Sequence, residues 1–218
     1  MNELIFLFHI IVIVISCLIA LRLGKEALIT LIALQIILAN LFVSKEITLF
    51  SLCVTCTDAF AVGSGLTLNL IQEYYGKTIA KKAIWISFFA LVFYLVMSQF
   101  QLWYTPLHIT SQEPFSKILS LMPRLIIASI ISYLTSQFID YTLYAFFKKR
   151  FHKKFFVLRN YGSLIIAQAI DTIMFSFLGL YGIIHNVWHI ILVSYIIKII
   201  TILVATPSIS VLKTYIHK

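Results

Sequence analysis

The sequence predicts an all-α fold, a polytopic helix bundle that spans a membrane with about six or seven helices. Hydrophobic residues make up 61% of the chain and charged residues only 11%, whereas charged residues are about 25% of a typical soluble domain. The apolar residues fall into runs close to the ~20 residues that cross a bilayer as a helix. A soluble core cannot hide so much apolar surface, so lipid must cover it.

Seven apolar segments account for most of the chain, and short connections join most of them. We therefore expect a single transmembrane domain over residues 1–218. The predicted helices are residues 4–23, 27–43, 47–71, 83–103, 118–147, 161–183 and 187–211. The first segment lacks the basic start and small-residue cleavage site of a secretory signal, so it is retained as a membrane helix. Segment 27–43 is the weakest, and a re-entrant course is its alternative.

Lysine and arginine concentrate in alternate connections. The first, third and fifth connections and the C-terminus hold 13 of them, whereas the N-terminus and the other connections hold only Lys45 and Lys117. Because basic connections stay in the cytoplasm, we expect an outside N-terminus and a cytoplasmic C-terminus. The same pattern accounts for the net charge of +9 without nucleic acid as a partner. Compact connections fit a bacterial cytoplasmic (inner) membrane.

The third segment carries polar residues along one stripe. Residues 63–65 read Gly-Ser-Gly, and the residues at helical spacing are Asp58, Gly65, Asn69 and Glu73. Glycine-interrupted membrane helices often expose backbone groups to a solute; close packing of a neighbouring helix on the small residues is the alternative. Glu73 lies near the predicted cytoplasmic boundary, where simple solvation is the alternative to a functional role.

A doubled motif occupies the fifth and sixth segments, which read Gln137-x-x-Asp140 and Gln168-x-x-Asp171. Carboxylates and amides inside a bilayer are costly and usually mark a polar site within a bundle. At ~1.5 Å per residue, antiparallel helices would place Gln137 level with Asp171, and Asp140 level with Gln168. We call these the two crossed pairs. Hydrogen bonds that only hold the helices together are the alternative interpretation.

Two cations complete the candidate site. Lys198 lies near the middle of the last segment, where a lysine needs an acidic partner, and Asp171 and Asp140 are the candidates. Arg124 follows a proline near the outer end of the fifth segment. Its side chain either points into a cavity or extends to the outer membrane surface.

Several motifs follow one another in a characteristic order. They are Asn40, Glu73-x-Tyr75-Gly76, Arg124-x-x-x-Ala128-Ser129, Gln137-x-x-Asp140, Arg159, Ser163, Gln168-x-x-Asp171-Thr172, Tyr195-x-x-Lys198 and Pro207. Together they resemble the queuosine precursor transporter family, earlier described as vitamin uptake transporters. The resemblance covers nearly the whole chain and is most specific over residues 124–207.

The resemblance implies import of a modified guanine base: queuine, or 7-cyano- or 7-aminomethyl-7-deazaguanine. It also suggests which polar residues bind this small-molecule substrate. They are Asn40, Asn69, Glu73, Arg124, Gln137, Asp140, Gln168, Asp171 and Lys198. The chemistry is compatible, because a carboxylate accepts the paired N–H groups of a guanine edge, and an amide or cation donates to its carbonyl.

Other functions fit the sequence less well. The chain has no P-loop motif for nucleotide hydrolysis, and neither His-Glu-x-x-His nor Gly-x-Ser-x-Gly, so we expect no enzyme, cofactor or metal site. The alternatives are the substrate-binding subunit of a multi-component vitamin-type importer, and a structural or assembly protein without transport activity. The sequence leaves open a homo-oligomer, and coupling to a proton through Asp140 or Asp171.

Overall fold

Seven long helices form most of the described part of the chain, and the predicted all-α helix bundle is confirmed. The computed structural model describes residues 1–42, 45–50, 52–55, 57–107, 115–116, 119, 123–151, 155–182 and 187–216. The helices are α1 (Asn2–Leu23), α2 (Lys25–Phe42), α3 (Asp58–Tyr74), α4 (Gly76–Trp103), α5 (Pro123–Arg150), α6 (Phe156–Phe175) and α7 (Val187–Ile216).

The surface of the bundle suits a lipid environment. Five helical segments in the described residues are long and apolar enough to cross a membrane: α1, α2, α4, Phe156–Gly179 and Val187–Pro207. Large apolar side chains such as Phe8, Phe89 and Leu192 are exposed on their outer faces. The two helices outside this set, α3 and α5, carry many of the buried polar residues. Polarity is therefore concentrated inside the bundle and apolar surface outside.

Helix α3 lies at the centre of the bundle. It contacts all six other helices, and 13 of its 17 residues are buried. Its glycines allow close approach: a Cβ on Gly63 would lie 2.8 Å from Ile13 Cγ2 of α1, and one on Gly65 would lie 2.5 Å from Leu164 Cδ2 of α6. Small residues at helix interfaces permit such contact in membranes. The close-packing interpretation of the glycines is thus observed at both positions.

The third predicted helix begins later than we expected. Segment 47–71 was predicted as one helix, but Glu46–Leu49 (β1) and Leu52–Thr55 (β2) form an antiparallel hairpin before α3. The β-branched residues of both strands favour extended backbone, and Phe50 at the turn has a φ of 51°. The Phe50 amide N–H donates to Glu3 Oε1 at 3.2 Å, which ties the hairpin to the start of α1.

The sixth helix also differs from its predicted bounds. Segment 161–183 was expected, whereas α6 begins at Phe156 and continues after Phe175 as a π-helical turn, Ser176–Leu180. The prediction placed the start of the helix where the apolar run begins. A helix can start earlier, because its backbone hydrogen bonds also form through polar residues. The earlier start places Arg159 and Asn160 inside the helix, where both are buried.

Substitution of Gly65 by valine is expected to destabilise the bundle, because α6 leaves no room for a side chain there. Overpacking a tight interface costs about 1–3 kcal/mol, so the melting temperature in detergent, followed by tryptophan fluorescence, should fall clearly. Ala90→Val, at a partly exposed position of α4, is the control and should melt close to wild type. Equal melting of the two variants would contradict close packing at Gly65.

Candidate functional site

Buried polar side chains gather in three groups along α3. The central cluster is Asn69, Gln137, Asp140, Asn160 and Gln168; the triad is Asp58, Asp171 and Lys198; the Glu73 cluster is Glu73, Tyr144, Lys148 and Arg159. At ~1.5 Å per residue, Asp58 and Asn69 are about 16 Å apart along α3, and Asn69 and Glu73 about 6 Å. The central cluster therefore lies between two groups of ion pairs.

Asn69 and Asp140 form the middle of the central cluster. The Asn69 amide is directed at three acceptors: Asp140 Oδ1 at 3.3 Å, Asn160 Oδ1 at 3.1 Å and Ser163 Oγ at 3.3 Å. All four side chains are buried. One amide thus links α3, α5 and α6, and it engages only one of the two Asp140 oxygens.

The two glutamines bind α3. Gln137 Nε2 donates to Ser64 Oγ at 3.1 Å, and Gln168 Nε2 donates to the Ala61 carbonyl at 3.4 Å. Neither of the two crossed pairs forms a hydrogen bond among the described residues. Sequence spacing predicted that each pair would lie at one depth, but α3 supplies the partners of Gln137, Gln168 and Asp140 instead. The four residues of the doubled motif consequently divide between two groups, because Asp171 belongs to the triad.

Four oxygens of the central cluster are buried without a hydrogen-bond partner in the described structure: Asn69 Oδ1, Gln137 Oε1, Asp140 Oδ2 and Gln168 Oε1. Gly65 lies close to two of these side chains, since a Cβ there would lie 3.3 Å from Asp140 Oδ2 and 4.0 Å from Gln168 Nε2. Leaving a buried acceptor unsatisfied costs about 1–3 kcal/mol. A solute edge rich in N–H donors is chemically complementary to this group.

The triad joins α3, α6 and α7. Lys198 Nζ donates to Asp171 Oδ2 at 2.7 Å and lies 3.9 Å from Asp58 Oδ1. Ser194 Oγ donates to Asp58 Oδ1 at 2.8 Å, and Ser136 Oγ to Asp171 Oδ1 at 3.3 Å. The expectation of an acidic partner for Lys198 is confirmed, with Asp171 as that partner. Both carboxylate oxygens of Asp171 therefore have hydrogen-bond partners, Lys198 and Ser136.

The Glu73 cluster closes the other end of α3. Arg159 donates to both Glu73 oxygens, at 3.0 and 3.1 Å, while Tyr144 Oη and Lys148 Nζ each lie 3.0 Å from Oε2. The Arg159 side chain is 0% exposed, although the sequence analysis counted it with the cytoplasmic connections. That assignment was wrong, because α6 begins before this residue. Glu73 is bound by three side chains, so simple solvation does not describe it.

Two other predicted residues do not join these groups. Asn40 Nδ2 donates to the Ile36 carbonyl at 3.0 Å, and Asn40 Oδ1 accepts a hydrogen bond from Ser129 Oγ at 2.8 Å. It therefore links α2 to α5, apart from the central cluster. Arg124 falls in the first turn of α5, but its side chain lies outside the described part of the structure.

Sequence reasoning missed several residues of these groups. Asp58 was noted on the stripe but not placed in the site. Asn160, Tyr144 and the triad's neighbour Ser194 were not considered. Asn160 precedes Ser163 by three residues, so an earlier helix start would have put both on one face. Asp58 had a detectable signal too, because it shares the spacing of Gly65 and Asn69. Ser194 had no sequence signal of its own beyond its position one helical turn before Lys198.

Comparison with known proteins gives one family. The model of the family described as "Putative vitamin uptake transporter" matches residues 59–212, which include every candidate site residue predicted from the sequence except Asn40. A curated relative from Bacillus subtilis (strain 168), "Probable queuosine precursor transporter", is 30% identical over 190 residues, covering 84% of this chain and 82% of the relative. No solved structure matches the chain.

Replacing Arg159 with methionine should strongly destabilise the protein, because Glu73 would lose both guanidinium hydrogen bonds. Removing one partner of a buried ion pair costs about 3–5 kcal/mol, which should appear as a large fall in the melting temperature in detergent. Lys149→Met, at an exposed position on α5, removes the same charge and should have little effect.

The double variant Glu73→Gln/Arg159→Met distinguishes loss of the pair from loss of packing. It should recover part of the stability, because the uncompensated carboxylate is gone. If the double variant were no more stable than Arg159→Met, the attribution to the ion pair would be wrong.

Proposed function

The chain belongs to the vitamin uptake transporter family, and we propose that it imports queuosine precursors across the bacterial cytoplasmic membrane. Family membership makes it a membrane transporter of the vitamin or precursor type, with a small-molecule substrate and a lipid surround. The proposed cargo is a 7-deazaguanine base: queuine, or its 7-cyano or 7-aminomethyl precursor. The description of the Bacillus subtilis relative as a queuosine precursor transporter supports this cargo.

The observation that carries the proposal is the set of buried, unpartnered oxygens beside Gly65. A guanine-type base presents a ring N–H and an exocyclic amine side by side, and a carboxylate accepts such a pair. Asp140 Oδ2 has no partner among the described residues, and Oδ1 accepts a hydrogen bond from the Asn69 amide at 3.3 Å. We infer that Asp140 accepts the N–H groups of the base.

The glutamines would complete recognition of the base. Gln137 and Gln168 each use the amide nitrogen on α3 and keep a buried oxygen unpartnered within the described residues. A side-chain amide has both acceptor and donor groups, so either glutamine can accept from an amine or, after rotation, donate to the base carbonyl. Recognition would then use the full polar edge of a planar base.

The ends of α3 suggest how the site is isolated from water. With the N-terminus outside, as the basic residues predict, the Glu73 cluster lies between the central cluster and the cytoplasm. It ties α3 to α5 and α6. The cargo must pass this group to leave, so we propose that these ion pairs separate during release. Transporters commonly bind substrate near the bilayer midplane and open to one side at a time.

Uptake of labelled queuine and 7-cyano-7-deazaguanine tests the proposal, in bacteria that lack their own importer and precursor synthesis. Expression of the chain should restore uptake and queuosine in tRNA. Asp140→Asn should lower the uptake rate about 10–100-fold, because a hydrogen bond to a charged group contributes about 1.5–3 kcal/mol. Glu26→Gln makes the same chemical change at an exposed position and should transport like wild type.

Each outcome bears on a different part of the proposal. Equal uptake by Asp140→Asn and Glu26→Gln, at matched amounts of protein in the membrane, would show that Asp140 does not recognise the base. Absence of uptake of both bases by well-inserted wild type would show that the cargo is wrong.

A further inference from the structure

The triad holds one more carboxylate than it holds cations. The side chains of Asp58, Asp171 and Lys198 are 6%, 19% and 5% exposed, so two carboxylates share one ammonium inside the bundle. With all three ionised, the group carries one net negative charge. An uncompensated charge within a membrane-spanning bundle is expensive, and groups of this kind typically mark ion or proton pathways.

The two carboxylates differ in how well they are satisfied. Both oxygens of Asp171 are engaged, one by Lys198 and the other by Ser136. Asp58 Oδ1 accepts from Ser194, but Asp58 Oδ2 is buried with no partner among the described residues. The surplus negative charge is therefore least stabilised at Asp58.

We propose that the triad is a proton-binding site in which Asp58 takes the proton. One proton on Asp58 Oδ2 makes the triad neutral, because the remaining carboxylate then balances the single ammonium, and the Lys198–Asp171 pair stays intact. A metal cation fits less well. It would need several oxygen ligands, the Lys198 ammonium already contacts both carboxylates, and the described residues contain no group of His, Cys, Asp and Glu suited to a metal.

Neighbouring helices add few other groups that titrate. Helix α1 contributes His9, whose ring packs 4.5 Å from that of Phe60, two residues after Asp58. Helix α5 contributes Ser136, with Asp140 one turn further along. Helices α2 and α4 place no charged side chain in an ion pair with the triad among the described residues. Lys198 and Asp171 therefore dominate the electrostatic surroundings of Asp58.

The position of the site suggests its use. Asp58 begins α3, at the end predicted to face outside, about 16 Å along the helix from Asn69. One proton taken from the outer solution and released to the cytoplasm in each cycle would couple base uptake to the proton gradient. This coupling rests on the transport function proposed above, whereas proton binding itself does not.

Infrared spectroscopy of the reconstituted protein tests proton binding without any cargo. Wild type should show protonated-carboxyl absorption that grows as the pH falls, and Asp58→Asn should lose one component of it. Asp140→Asn should keep that component, and Asp58→Glu should keep it at a shifted position, which controls for misfolding. A spectrum of Asp58→Asn identical to wild type would overturn the proposal.

Transport by proteoliposomes tests the coupling. With the outside one pH unit more acidic, wild type should accumulate labelled 7-cyano-7-deazaguanine up to about tenfold if one proton moves with each base, and Asp58→Asn should show no stimulation by the gradient. Exchange of base by wild type without any response to the gradient would overturn coupling. If wild type moves no base, the proposed function fails, and the infrared result still decides whether Asp58 binds a proton.

Discussion

The rest of the structure depends on one constraint: a lipid bilayer offers no hydrogen bonds, so polar groups inside the bundle must find partners within the protein. Helix α3 meets this constraint because it contacts every other helix. Its two carboxylates, Asp58 and Glu73, each lie near a buried cation from a different helix, Lys198 and Arg159. These pairs fix α3 against α7 at one end and α6 at the other.

The difference between satisfied and unsatisfied groups separates structural from functional roles. The Glu73 carboxylate is held by three side chains, so it stabilises the bundle and has little capacity left for a solute. The central cluster keeps four buried acceptors unpartnered in the described residues, and two of the side chains that carry them lie close to Gly65. Binding of a donor-rich base would remove this penalty, which is why the proposed site lies there.

Composition predicted the fold, because lipid is the only solvent that suits so apolar a chain. Because carboxylates and amides inside apolar segments are costly in a bilayer, the sequence also predicted that Gln137, Asp140, Gln168 and Asp171 face inward. The pairing of Lys198 with an aspartate was also expected, and Asp171 is that aspartate. The partners of Gln137, Asp140 and Gln168 were not predictable from spacing along two helices, because a third helix, α3, supplies Ser64, Asn69 and the Ala61 carbonyl. The hairpin at Glu46–Leu49 and Leu52–Thr55 was missed because an apolar run fits a strand or a helix equally well.

Ligand binding to purified protein tests most directly whether Asp140 accepts the N–H groups of the base. The two ligands would be 7-cyano-7-deazaguanine and its analogue without the exocyclic amine, each measured with wild type and Asp140→Asn. Wild type should prefer the complete base by about tenfold or more, since the analogue leaves a buried acceptor unpaired, and Asp140→Asn should lose most of this preference. An undiminished preference in Asp140→Asn would contradict the account.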